Sequence, residues 1–219
     1  MIKETIQAAA LDAIAPRTLD RLLLDETNHR VANEVASALA AMRIAQSSRG
    51  KSSRARMIDV AIDRLEAFGE CSRIFASVPS GSTDVGALVE SISLAMLRSR
   101  IDGRYTRLAL ELPSIALDGE TARRIAMIAY ELVNNALKHT SKIGGELEVR
   151  LDTAADGVVL SVTDNGPGYG PRNSSGPARH KLGGRIVSEL ISASGGHFAC
   201  TTGPGGTAVR IMLPTSSRP

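Results

Sequence analysis

The chain has no tryptophan, only 3% aromatic residues and only two cysteines among its 219 residues. Aliphatic side chains must therefore form its hydrophobic core. Cys71 and Cys200 lie far apart in the sequence, which excludes a disulfide framework and a cysteine-based metal site and favours two free thiols in a reducing compartment. No run reaches the ~20 apolar residues that span a bilayer, and no basic segment precedes an apolar run near the start. We therefore expect a cytoplasmic protein without a membrane span.

A large excess of charge of one sign is also missing, because the formal net charge is only +3 and the basic residues are dispersed. A nucleic-acid-binding surface normally shows clustered basic residues, so we expect no nucleic-acid partner. The sequence contains neither a Walker phosphate-binding loop nor a Rossmann glycine fingerprint. What is present, 43% apolar and 22% charged residues, is ordinary for a globular protein.

The first part of the chain predicts two long helices separated by a polar break. Residues 18–46 contain no glycine or proline, and a break rich in serine at 47–53 separates them from a second helical stretch at 54–77. Residues 78–82 then end the second helix. Two long helices joined by a short loop form an antiparallel hairpin whose apolar faces need a partner. Residues 1–80 are therefore predicted to form a dimeric four-helix bundle.

Helices and strands alternate in the remainder, residues 81–219. Helices are predicted at 84–100, with Thr83 as the N-cap, at 120–139 and at 183–194. Strands are predicted at 107–112, 146–151, 158–163, 197–202 and 207–213. The whole chain is thus predicted to be α+β, with the helical hairpin followed by an α/β sandwich of mixed strand order.

His29 lies on the first predicted helix, away from its apolar stripe. At about 100° per residue, His29 lies about 140° from that stripe and shares its side with Glu26 and Asn33. A carboxylate one turn away can hold one ring nitrogen and make the other more nucleophilic, which suits a phosphoryl acceptor. From this patch alone, a solvated surface histidine is the alternative interpretation. The stripe consists of Leu24, Val31, Val35, Ala38 and Met42.

A second polar helix face is formed by Glu131, Asn135, Lys138 and His139, spaced i, i+4, i+7 and i+8. An acid, an amide oxygen and cations on one face suit a hydrated Mg²⁺ ion and a polyphosphate, because Mg²⁺ prefers oxygen ligands and keeps several waters. Taken in isolation, this face could also be a solvated polar surface.

Two glycine-rich segments follow that helix. Asp164-Asn-Gly-Pro-Gly-Tyr-Gly170 comes directly after a predicted strand, and Gly205-Gly-Thr207 opens the last strand. A carboxylate at a strand end can accept a hydrogen bond from the exocyclic amine of adenine, and glycines let the backbone close over the base. Such a loop alone is weak evidence for a nucleotide site. It is strong evidence when it follows a helix with the polar face described above.

These three segments, in this order, resemble the ATP-binding domain shared by histidine kinases, gyrase, Hsp90 and MutL. Glu26-Thr-Asn-His-Arg-Val-Ala-Asn33 resembles the phosphoacceptor box of the HisKA_2 and HWE groups of sensor histidine kinases. The resemblance covers about residues 19–213. It implies ATP and Mg²⁺ as ligands, His29 as the phosphorylated residue and the receiver domain of a response regulator as the partner.

The resemblance also implies a role for each matching residue. Asn135 would ligate Mg²⁺, Lys138 would contact phosphate, and His139 would also belong to the nucleotide site. Glu131 would polarise the attacking group or a metal-bound water, and Glu26 would be the carboxylate beside His29. The adenine end would be held by Asp164, Gly166, Gly168 and Thr207.

One segment departs from the family pattern. The family's lid ends Gly-x-Gly-Leu before the next helix, whereas this chain reads Lys181-Leu-Gly-Gly184. Lysine does not adopt a positive φ cheaply, so the usual close approach of backbone N–H groups to phosphate is in question. We interpret Lys181 and Gly183 as substitute phosphate contacts, with an exposed lid lysine as the alternative.

Three functions therefore compete. The leading one is an ATP-dependent histidine kinase that phosphorylates His29 and passes the phosphoryl group to a response-regulator aspartate. The second is a histidine phosphotransferase, with the same hairpin and a vestigial ATP domain, which Lys181 would favour. The third is a serine kinase of the anti-sigma type, against which the hairpin and His29 argue.

Overall fold

The structure, a computed structural model, describes residues 19–47, 50–98, 106–140, 144–168 and 184–215. Two helices, α1 (Leu19–Ser47) and α2 (Lys51–Ser77), lie against each other. Near their connection, Nε of Arg54 donates to the carbonyl oxygen of Ala45 at 3.1 Å. Helix α2 begins three residues earlier than predicted, because serines are tolerated in the first turn of a helix. None of the described helices is long and apolar enough to cross a membrane.

The apolar stripe of α1 is largely uncovered in a single chain. Of the stripe residues, Val31, Val35 and Met42 are 37–45% exposed, whereas Ala38 is buried. The stripe is therefore only partly covered within one chain. The predicted dimeric four-helix bundle would cover this surface, and it stays a prediction.

The rest of the chain forms a two-layer α/β sandwich. Its elements are β1 (Ser82–Asp84), α3 (Val85–Arg98), β2 (Thr106–Glu111), β3 (Ala116–Asp118), α4 (Gly119–His139), β4 (Gly145–Ala154), β5 (Gly157–Asp164), α5 (Gly184–Ala193), β6 (His197–Gly203) and β7 (Gly206–Pro214). The five-stranded sheet has the order β2-β4-β5-β7-β6, in which β2 and β4 are parallel and all other neighbours are antiparallel. This mixed order and the α+β class are as predicted.

The strands alternate between a buried face and an open face, as a sheet covered on one side must. On β4, Leu147, Val149 and Leu151 are buried, whereas Glu146 and Arg150 are exposed. Helices α3, α4 and α5 pack on the buried face. The core between the layers is aliphatic, as the scarcity of aromatic residues requires.

Helix α4 is the long amphipathic helix predicted at 120–139. Asp118 caps its first turn, because the carboxylate accepts a hydrogen bond from the backbone N–H of Thr121 at 2.9 Å. At the other end, the N–H of Thr140 bonds the carbonyl oxygen of Ala136 at 2.7 Å. Both ends of the helix are therefore fixed.

The predicted N-cap Thr83 is wrong. Thr83 lies in a short strand, β1 (Ser82–Asp84), which pairs antiparallel with β3 (Ala116–Asp118), and neither strand was predicted. Asp84 caps α3 instead, since its carboxylate accepts from the N–H of Ala87 at 3.3 Å. The pairing of β1 with β3 draws the chain into extended geometry one residue beyond the predicted helix start.

The C-terminal turns of α2 take part in the sandwich core. Cys71 is fully buried in the same hydrophobic cluster as α3 and α4, and Phe75 packs against it. The ring of Phe75 meets that of Tyr130 edge-on, with centroids 6.1 Å apart. Just beyond α2, the guanidinium of Arg123 donates to the carbonyl oxygen of Val78 at 2.8 Å. The hairpin is thus continuous with the sandwich through a shared core.

Candidate nucleotide site

A cleft lies between helix α4 and strands β5 and β7. Its empty space, counted together with the open solvent at its mouth, is about 300 Å³. Half of its described lining comes from the helix and half from the two strands. The lining residues are Leu132, Asn135, Ala136, His139, Val162, Asp164, Thr207 and Val209.

The spacing of these residues explains why they converge. The four from α4 are spaced i, i+3, i+4 and i+7 and therefore share one face of the helix. The pairs from β5 and β7 are each spaced i, i+2 and therefore point to the same side of the sheet. The apolar walls Leu132, Ala136, Val162 and Val209 were not among the predicted site residues. The same periodicities, applied outward from Asn135 and Asp164, would have found them.

Asp164 is the one acidic side chain among the described residues that line the cleft. It ends β5 and is only 6% exposed, and its Oδ1 accepts from the N–H of Gly166 at 2.8 Å. Burial raises the pKa of Asp164, and the backbone N–H groups of Gly166 and Thr207 together with His139 oppose that rise. The cleft thus presents a buried acceptor whose ionised form gains from a further hydrogen-bond donor.

Two glycines of the following loop, Gly166 and Gly168, are required by close backbone approach. A Cβ on Gly166 would lie 2.1 Å from the carbonyl oxygen of His139. Gly168 has a φ of 64°, and a Cβ there would lie 2.1 Å from the carbonyl oxygen of Gly203. The loop therefore runs directly against the end of α4 and the β6–β7 turn.

Asn135 stands across the cleft from Asp164. Its Nδ2 is buried and makes no hydrogen bond, which is costly unless a ligand completes it. Thr207 is 6% exposed, with its hydroxyl 3.3 Å from that of Thr202. A buried acceptor, an unpartnered amide and apolar walls fit a ligand that combines a flat heteroaromatic ring with a polar extension, as ATP does.

Of the other predicted site residues, the structure describes the side chains of two, Glu131 and Lys138. Glu131 is half-buried and Lys138 exposed, and neither lines the cleft. Lys181 and Gly183 lie outside the described residues. Glu26 and His29 lie on α1, and their side chains also lie outside what the structure describes. The roles predicted for all these residues stay predictions.

The described residues contain no group of three or more His, Cys, Asp or Glu side chains that could hold a metal ion. A Mg²⁺ ion at this cleft would therefore need phosphate oxygens and water for most of its ligands, which is its usual manner of binding to nucleotides. The Asn135 side chain supplies an amide oxygen of the type that Mg²⁺ accepts.

The mixed sheet with one helical layer, and a cleft with a buried carboxylate, define an ATP-binding α/β sandwich. Residues 120–217 match the family described as histidine kinase-, DNA gyrase B- and HSP90-like ATPase. The second half of the chain belongs to this family, and the chain is a relative of the sensor histidine kinases. The narrower HisKA_2/HWE assignment stays a prediction.

Two curated relatives align over nearly the whole chain. Blue-light-activated histidine kinase 2 of Erythrobacter litoralis is 28% identical over 91% of the chain and 59% of its own length. The C4-dicarboxylate transport sensor protein DctB of Rhizobium meliloti is 28% identical over 96% of the chain and 37% of its own length. The chain thus spans only part of each relative.

Solved structures share the architecture. The histidine kinase domain of the Erythrobacter litoralis blue-light-activated kinase is 28% identical, has a TM-score of 0.54 and is covered to 95%, with 90% of this chain aligned. A bacterial phosphotransferase has a TM-score of 0.56 at 12% identity, with 90% of this chain and 97% of that chain aligned. At that identity, the second likeness shows the fold alone.

Proposed function

We propose that the protein is an ATP-dependent histidine kinase of two-component signalling. It would act as a cytoplasmic homodimer that phosphorylates His29 and then transfers the phosphoryl group to an aspartate in a response-regulator receiver domain. The observation that carries the proposal is the buried carboxylate of Asp164, opposite the unpartnered amide of Asn135, in a cleft of the ATPase family. Helix α1, which carries His29, contacts α5 of the sandwich. This contact adds support because it joins the helix of the proposed acceptor to the domain of the ATPase family.

The proposed reaction uses few protein groups. An unprotonated imidazole nitrogen of His29 forms the N–P bond to the γ-phosphorus, the bond from that phosphorus to the bridging oxygen breaks, and ADP leaves with the electron pair. The proton on the other ring nitrogen passes to solvent or to the carboxylate of Glu26. Asp164 orients the adenine, and Asn135 and Lys138 hold the phosphate end. Mg²⁺, bound with the phosphates, would neutralise their charge.

The test of the proposal is the chemical nature of the labelled product. The protein is incubated with γ-labelled ATP, and the phosphoprotein is exposed to acid and to base. We expect a label that acid removes and base does not, as for phosphohistidine. A base-labile, acid-stable label would contradict the proposal and indicate a serine kinase.

A histidine phosphotransferase is the second candidate, favoured by Lys181 in the lid segment. Such a relay would take label from a phosphorylated receiver domain and none from ATP. The intact pair of Asp164 and Asn135 favours the kinase, because a vestigial site has no reason to keep a buried carboxylate and an unpartnered amide, each of which costs stability.

Asn135→Ala should remove most of the Mg²⁺ dependence of ATP binding. Among the described residues that line the cleft, Asn135 carries the one side-chain amide that can complete the coordination of a phosphate-bound ion, and the substitution deletes it. Titration calorimetry with ATP, with and without Mg²⁺, measures the effect. Asn134→Ala, a half-buried neighbour outside the cleft lining, is the control. Equal Mg²⁺ dependence in both variants would argue against a metal role for Asn135.

The uncovered stripe on α1 predicts a dimer through the hairpin. Val35 is 45% exposed at the centre of that stripe, and Val35→Glu would place a charge where the second copy packs. Light scattering should show a dimer for the wild type and a shift to monomer for the variant. Ala40→Glu, exposed on the other side of α1, should leave the dimer intact. A monomeric wild type at micromolar concentration would contradict the prediction.

A further inference from the structure

Asn165 makes an unusual set of hydrogen bonds for a loop residue. Its Oδ1 accepts from the backbone N–H of Glu146 at 2.9 Å and from the hydroxyl of Thr140 at 3.1 Å. Its Nδ2 donates to the carbonyl oxygen of Gly144 at 2.8 Å, and its backbone N–H donates to the carbonyl oxygen of Glu146 at 3.2 Å. One side chain therefore bridges three segments of the fold.

These segments are the end of α4, the start of β4 and the loop that follows β5. Thr140 is buried, directly follows His139 and caps the C-terminal end of α4. Gly144 and Glu146 lie at the start of β4, beside the end of β5. Asn165 itself follows Asp164 in the chain. The amide thus ties the end of the helix that carries Asn135 to the loop that begins at Asp164.

Asn165 is not among the residues that line the cleft, so any effect on a ligand must be indirect. The tie matters because the loop has little room to shift, as the contact between Gly166 and the His139 carbonyl shows. If the helix end moved away from the loop, the separation between Asp164 and Asn135 would change. A ligand that contacts both residues would then lose one of its contacts.

We propose that Asn165 is a positioning residue, which sets the separation between Asp164 and Asn135 and thereby the affinity for a nucleotide that spans the cleft. The inference rests on the proposed binding of ATP at this site. The amide supplies at once an acceptor for Glu146 and Thr140 and a donor for Gly144. A carboxylate at position 165 would face the Gly144 carbonyl without a proton and would put a second negative charge beside Asp164.

The experiment compares ATP with adenosine, because adenosine reaches Asp164 without needing the phosphate end. Asn165→Ala should weaken ATP binding about tenfold or more, adenosine binding should fall by much less, and the KM for ATP in autophosphorylation should rise more than kcat falls. Asn165→Asp should weaken ATP binding at least as much. Titration calorimetry and initial-rate labelling measure these effects on the full chain.

A matched control separates positioning from stability. Asp118→Ala removes the cap at the other end of α4 and should lower the melting temperature, yet leave the ratio of ATP to adenosine affinity at its wild-type value. Should Asn165→Ala fold poorly, Thr140→Val removes one of the hydrogen bonds with little change of shape and should move the ratio in the same direction.

Two further results would count against the idea in different ways. If Asn165→Ala changes the melting temperature but not the ratio, as the control does, Asn165 is structural only and the positioning role is wrong. If the wild type itself fails to bind ATP, the proposed function fails, and this inference fails with it. Asp164→Asn, measured beside Asn165→Ala, tells these two failures apart. If Asp164→Asn weakens ATP binding, ATP binds at this cleft, and a failure then concerns Asn165 alone.

Discussion

His29→Gln should reduce autophosphorylation to background while ATP binding stays at the wild-type value. Glutamine keeps a polar side chain on α1, but its amide nitrogen has no lone pair available to attack phosphorus, whereas a neutral imidazole nitrogen has. The site is on a different element from the cleft, so nucleotide affinity should not change. Filter assays with γ-labelled ATP measure the first quantity, and calorimetry measures the second.

The other histidines provide the control for this experiment. His197 begins β6 and is exposed, and His197→Gln should label as the wild type does. His139 lines the cleft, so its replacement could change nucleotide binding as well as phosphoryl acceptance. It is therefore not used as a control. Acid-labile label that persists in His29→Gln would mean that another residue accepts the phosphoryl group, and the assignment of His29 would be wrong.

Asp164→Asn should weaken ATP binding roughly tenfold or more, from a loss of ~1.5–3 kcal/mol. In the carboxylate, two oxygens are available to the N–H groups of Gly166 and Thr207 and to the adenine amine. An amide has one oxygen for these donors and presents its own N–H₂ to the next one. Displacement of a fluorescent ATP analogue measures the effect, and unchanged affinity would place the nucleotide elsewhere.

The same variant should not lose stability at neutral pH when no nucleotide is bound. The pKa of Asp164 is raised in the folded state, chiefly by burial, so its contribution to stability is present at low pH and is lost as pH rises through the folded pKa. Asparagine removes this cost. Thermal melts should therefore show the variant gaining on the wild type as pH rises from the ordinary pKa of an aspartate through the raised pKa of Asp164, and no further gain above it.

The sequence predicts the long periodic elements well. The helix predicted at 120–139 is α4 to within one residue, because a 21-residue amphipathic pattern with an N-capping aspartate leaves little choice of boundary. The loop that begins at Asp164 was predicted at the end of a strand, where the structure has it. Such features depend on residues that are neighbours in the sequence, so they can be predicted from the sequence.

Features formed by residues that are far apart in the sequence could not be predicted from the sequence. β1 and β3 have three residues each and pair with each other from Ser82 with Asp118 to Asp84 with Ala116, positions that are far apart in the sequence. The four hydrogen bonds of Asn165 join positions about 20 residues apart, and nothing in a Gly-rich segment distinguishes this asparagine from an ordinary turn residue. Likewise, periodicity alone could not show that Cys71 and Phe75 belong to the core of the sandwich.

The core that α2 shares with the sandwich fixes how far the hairpin is rotated about the α2 axis relative to the cleft. Because α2 runs without interruption from the hairpin into the packing around Tyr130, each residue inserted in it would rotate everything upstream by about 100° about the helix axis. Segments exchanged before Cys71 should therefore differ in length by whole heptads, which nearly restore the phase. A fragment that starts at residue 81 would instead lack Cys71 and Phe75, and the core surface that they cover would be exposed to water.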